Sequence, residues 1–254
     1  MTQPAFIPDD DDEVTLAPAP DPTRALRVPG WYGKLPGLGD FATRRLPPQF
    51  IALWDQWLQR SIEHSRQALG AAWLDTYLNS PIWRFALAPD VCGPERWTGL
   101  MMPSVDRVGR YFPLMIAVRL PPLPWSRVVA QEQWFDAIEQ IALDCLHPTV
   151  RPDDVETRLH ACPLPSLGGE TAPLPAAQGL ARGDGAACPI PAGMPADRLL
   201  LDVEREALAS AFNGCSLWWT HAGADTPQVM ALYGGLPDAT RFAQMLAVRG
   251  GAAA

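Results

Sequence analysis

The clearest periodicity along the chain is helical. From Pro48 onward Phe50, Leu53, Trp54, Trp57, Leu58 and Ile62 recur at spacings of three and four, which predicts an amphipathic helix. Pro47-Pro48 suits its first turn and Gly70 its end. A second short helix is expected over 71–79, closed by Ser80-Pro81. Residues 126–146 give another strong pattern, with Val128, Phe135, Ile138, Ala142 and Cys145 on one face, and are expected as one helix. Asp153 with Glu156 reads as a capping box for a helix over 154–162. Residues 202–213 and 237–248 are helical in pattern too.

Between these lie β-prone runs. Residues 31–35 form one, closed by the turn-rich Pro36-Gly37-Leu38-Gly39-Asp40. Residues 82–87, 97–103 and 111–120 form a meander, and 216–220 with 229–233 supply two further strands. The meander connections are too short for crossover helices, so the sheet is expected to be antiparallel. The fold class is therefore α+β: a mostly antiparallel sheet covered by helices, with the C-terminal strands extending it or forming a small appendage.

Proline changes the picture at two places. It numbers 28 in 254 residues. Residues 1–28 combine five prolines with the run Asp9 to Asp12 and show no apolar periodicity, so they are expected to be a disordered acidic tail. Residues 163–197 hold seven prolines and six glycines without an aromatic and are expected to be a linker or surface loop. That leaves a main body at 29–162 and a C-terminal α/β extension at 198–254.

Charge and cysteine narrow the function. Twenty basic against 28 acidic residues give a formal charge of -8 and a pI near 4.9, which argues against nucleic acid or anionic lipid as partner. The longest apolar run, 112–118, stops at Arg119 and is far short of the roughly 20 residues of a membrane span. The start of the chain lacks a signal-peptide pattern, and the five cysteines (92, 145, 162, 188, 215) form no CxxC pair, so a reduced, cytoplasmic protein is expected.

Common catalytic signatures are missing: no P-loop, GxGxxG, GxSxG or HExxH is found. Cys145-Leu-His147 and His160-Ala-Cys162 offer four zinc-compatible donors, but with a spacing unlike known knuckles, and no metal or other cofactor is expected. The densest polar signal lies in two turns. One holds Gly39, Asp40 and Phe41, soon after Gly33-Lys34; the other holds Ser104, Asp106, Arg107, Gly109 and Arg110. These loops read either as a recognition surface or as turns in which aspartates cap backbone N–H groups and arginines close the corner. Trp218-Trp219 reads either as a strand buried on both faces or as part of a contact patch. A catalytic alternative would use Asp40 and Asp106 with Arg84, Arg107 or Arg110 in hydrolysis or phosphoryl transfer.

Four ordered motifs carry a resemblance. They are Trp31-Tyr32-Gly33-Lys34-Leu35-Pro36 with Gly39-Asp40-Phe41; Trp54-Asp55-Gln56-Trp57-Leu58; Ser80-Pro81-Ile82-Trp83-Arg84-Phe85; and Pro103-Ser104-Val105-Asp106-Arg107-Val108-Gly109-Arg110. They resemble the TagF (ImpM) proteins associated with bacterial type VI secretion, and 216–220 with Gly235-Leu236-Pro237 is similar to that family's C-terminal part. The resemblance implies a longin-like α-β-α sandwich. It also implies a cytoplasmic accessory protein that represses secretion after translation by binding the forkhead-associated scaffold protein, without enzymatic activity. The oligomeric state does not follow from it.

Overall fold

The computed structural model describes residues 23–167, 196–223 and 227–248. Most of the acidic segment and of the 163–197 segment lies outside them. Seven strands form one sheet: β1 Gly30–Gly33, β2 Ala42–Arg44, β3 Trp83–Leu87, β4 Arg96–Met102, β5 Leu114–Leu120, β6 Cys215–Trp219 and β7 Met230–Gly234. Their order is β2-β1-β5-β4-β3-β6-β7 and every pairing is antiparallel. The helices are α1 Pro48–Leu69, α2 Trp73–Leu78, α3 Trp125–Val129, α4 Glu132–Asp144, α5 Pro152–Ala161, α6 Ala196–Ala211 and α7 Ala239–Leu246. The result is an α+β sandwich with helices on both faces, and the C-terminal strands join the main sheet through the β3–β6 pairing.

Register shows how alternation sorts the core. Trp219, Arg84, Leu100, Ile116 and Trp31 pair in one row across five strands, and all but Arg84 join the apolar cluster that α4 covers with Phe135, Ile138 and Ala142. The neighbouring row, Trp218, Phe85, Gly99 and Ala117, faces α1, whose Phe50, Trp54 and Leu58 are buried against it. Trp54 is fully buried, its ring 5.0 Å from Phe85 and 6.0 Å from Trp218. Burying one such side chain contributes about 1.5–3 kcal/mol, and aromatic pairing adds to it.

Several expectations shift. Residues 126–146 form two helices, because the chain leaves helical geometry at Gln131 (ψ 45°), whose carbonyl then accepts from Trp134 and Phe135 of the new helix. The capping box is Arg151 with Asp154, two residues earlier than Asp153 with Glu156, since Pro152 takes the first helical position. The strand expected over 111–120 begins at Leu114, and Tyr111 makes only an isolated bridge to Val105. Strand β2 was not foreseen; three residues are too few to show a period. Arg24–Arg27 form a 3₁₀ turn leading to buried Val28, so the folded part begins before 29. Leu164 is 1% exposed and its N–H donates to the Arg27 carbonyl at 2.8 Å, so the opening of the Pro-rich segment packs on the core.

Candidate functional site

The two polar turns meet at one end of the sheet. β1 ends at Gly33, whose φ of +145° lies outside the range of most side chains and where a Cβ would collide with the Pro113 carbonyl. That turn delivers Lys34, 4% exposed, to Asp106, 3% exposed, with Nζ 2.7 Å from Oδ2. The Arg110 Nε donates to the same oxygen at 2.6 Å. The other oxygen, Oδ1, accepts from the backbone N–H groups of Val108 and Arg110 at 3.0 and 2.9 Å. Burial alone would raise the Asp106 pKa, but Lys34, Arg110 and the two backbone donors outweigh it and hold the carboxyl well below the usual range.

The remaining motif residues build around this knot. Ser104 Oγ donates to the Lys34 carbonyl at 2.7 Å. The Tyr77 hydroxyl on α2 accepts from the Ser104 N–H and donates to the Ser104 carbonyl, at 3.0 and 2.9 Å. The Gly109 N–H donates to the Asp106 carbonyl, closing the hairpin. The Arg107 N–H donates to the Leu38 carbonyl at 2.9 Å and the Arg110 guanidinium to the Gly39 carbonyl, so the second turn is sewn to the first. Phe41 stacks on Tyr32 at 5.6 Å, meets Phe112 edge-on at 4.8 Å and takes the Lys34 ammonium over its ring at 4.1 Å. Asp40 is exposed, its Oδ1 accepting from the Phe41 N–H.

The outcome for Asp106 is the corner-closing role, since all its contacts serve the loop. Outward from that base stand Phe41, 41% exposed, Val108, 65% exposed, and the exposed Arg107 and Arg110. This tip is the candidate contact surface.

Three motif residues lie elsewhere. Arg84, 1% exposed, sits on the α4 face and pairs with Glu139 and Asp136, both at 2.6 Å, over the Phe135 ring. Burial opposes its charge, but the two carboxylates prevail and raise its pKa. Trp218 and Trp219 are 0% and 4% exposed, so both rings are buried, one on each face of the sheet. Cys145 packs in the core, where burial pushes its thiol up to about 12, and His160 Nε2 lies 3.3 Å from Arg45. Among the described residues no three His, Cys, Asp or Glu side chains are grouped to hold a metal ion.

Sequence reasoning gave Glu156 a capping role and missed its tertiary one. Its carboxylate accepts from the Trp31 indole N–H at 2.6 Å and from Arg45, tying α5 to β1. It also missed Tyr77 as the brace of the Ser104 loop.

An antiparallel sheet with helices on both faces and an internally tied two-loop tip, which exposes Phe41, Val108, Arg107 and Arg110 beside Asp40, defines an α+β protein. The family model of the TagF N-terminal domain, type VI secretion system-associated, matches residues 30–162. The chain belongs to the TagF family and is associated with type VI secretion. It is similar to PA0076 from Pseudomonas aeruginosa PAO1, a crystal structure at 2.05 Å, with 37% identity over 86% of this chain and 93% of that one and a TM-score of 0.69. No curated protein matches.

Proposed function

We propose that this protein is a non-enzymatic, cytoplasmic repressor of type VI secretion that acts after translation by binding the forkhead-associated scaffold protein. Its mechanism is occupancy: it covers scaffold surface that the secretion machine needs. The observation that supports this reading most is the two-loop tip, in which Phe41, Val108 and Arg107 are exposed on a base whose polar groups are already bonded. Such pre-organisation lowers the ordering cost of binding, and an apolar anchor flanked by arginine is typical interface chemistry. Charge-assisted pairing would orient the partner.

The catalytic alternative needs a carboxylate free to take a proton. Asp106 has both oxygens committed to four donors and the Arg84 charge is neutralised beneath α4, which leaves the exposed Asp40, bonded through Oδ1 to the Phe41 N–H, without that carboxylate or that arginine as a partner. The test is capture of purified scaffold by the tagged protein, paired with the level of type VI substrate secreted from cells lacking or overproducing it. Repression predicts direct capture, with secretion raised in the deletion and lowered on overproduction. No capture, or secretion that does not respond, refutes it.

A further inference from the structure

A groove of about 1170 Å³ opens on the α4 side of the sheet, where β5 runs into α3. Its floor is Leu217 on β6 with Met230 and Leu232 on β7, and its walls include the stacked Trp125 and Phe212 rings, 4.9 Å apart. Met230, Leu232 and Leu208 are 60%, 50% and 58% exposed, an amount of adjoining apolar surface that a folded chain seldom leaves bare. The lining charges balance in sign: Arg119 pairs with Glu95 and Arg205 with Asp202, each at 3.5 Å, and Arg27 and Glu206 add one of each. An occupant is therefore selected by apolar contact.

The chain itself supplies one. Thr23 and Leu26 line the groove, so the 22 residues before Thr23 start from its wall. They carry Phe6, Ile7, Val14 and Leu16. Leu16 lies within about 25 Å of extended chain from Thr23, and the whole segment can span about 70 Å. A tether of that length raises the local concentration of those side chains toward the millimolar range, so modest apolar affinity suffices for occupancy. We propose that the groove is the docking site of this chain's own N-terminal segment, with Val14 and Leu16 against Leu208, Met230 and Leu232. The proposal is independent of the partner reading above.

Photo-cross-linking of the full chain tests it, with p-benzoylphenylalanine in place of Leu16, together with hydrogen exchange of a full chain carrying Phe6→Ser, Ile7→Ser, Val14→Ser and Leu16→Ser. The four positions lie outside the described residues. The expected result is cross-links within the same molecule to 120–126, 208–212 or 230–232, and exchange of amides in 228–236 at least about five-fold faster in the substituted chain. Cross-links elsewhere, to a second copy or not at all overturn the proposal. Exchange that is unchanged in the substituted chain overturns it too, and would leave residues 168–195, which leave the wall at Leu167, or a partner as the occupant.

Discussion

At the scale of single residues, Asp106 holds the loop tip together. A buried carboxylate costs desolvation energy, repaid here by one lysine, one arginine and two backbone N–H donors. Asp106→Asn leaves Lys34 buried without its counter-charge, and the expected loss of unfolding free energy is about 3 kcal/mol at neutral pH, read by denaturant titration. The pH dependence has a definite sign. The folded carboxyl titrates below its unfolded value, so its contribution is fully present above about pH 4 and is lost as pH falls below that. The difference between parent and Asp106→Asn is accordingly flat from pH 5 to 7 and shrinks below about pH 4. An Asp106→Ala, Arg107→Ala double variant would confuse folding with binding. Arg107→Ala alone loses only an exposed side chain, and is expected to weaken scaffold binding while leaving the thermal midpoint within about 2 °C.

Composition marked the two turns as loops that could meet at one sheet edge, because each holds glycine and a carboxylate, but it did not pair Lys34 with Asp106. It could not say that the aspartate faces inward and Phe41 outward, since that depends on how far Gly33 bends the chain. Trp218-Trp219 was open for a related reason. Adjacent strand residues point to opposite faces, and only the packing of α1 (Trp54, Trp57) on Trp218 and of α4 (Phe135) on Trp219 shows that both faces are covered.

At the scale of elements, helices are fastened to the sheet by single polar pins set in apolar rows. Arg84 pins α4 through Asp136 and Glu139, and Glu156 pins α5 through Trp31 and Arg45. Arg84→Met retains volume and removes the buried cation, so its stability should stay within about 1.5 kcal/mol of the parent, whereas Arg84→Ala opens a cavity and should cost about 2–4 kcal/mol. Equal losses for the two would contradict the packing account. Gly99 makes a second test. A Cβ there would collide with the Ile116 carbonyl of β5, so Gly99→Ala should cost at least about 2 kcal/mol in denaturant titration, though alanine is otherwise the gentlest replacement. Periodicity found α1 because its apolar spacing is long and regular, and β-prone runs bounded by turn residues found the β3–β4–β5 meander. It joined α3 to α4 because neither proline nor glycine marks Gln131, and it overlooked β2, which is defined by its pairing with β1 alone.

At the scale of the whole molecule, the sheet extends beyond the 30–162 unit: β6 and β7 join it and α7 lies beside α1. The C-terminal part therefore completes the sandwich and stands apart from the loop tip, which is built from residues 33–41 and 104–112 with support from α1 and α2. Folding and binding can thus be separated by mutation. Arg107→Ala with Val108→Glu changes two exposed side chains of the tip and leaves the Asp106 partners and the Phe41 ring over Lys34 in place, whereas changes in β6 should lower stability and binding together.

The most direct measurement is the affinity of the purified forkhead-associated scaffold for the parent protein and for the Arg107→Ala, Val108→Glu variant, by isothermal titration calorimetry with thermal midpoints taken on the same samples. The account predicts binding at least about 30-fold weaker in the variant with the midpoint within about 3 °C of the parent. Equal affinities in two equally stable proteins would contradict it and move the contact away from the two-loop tip.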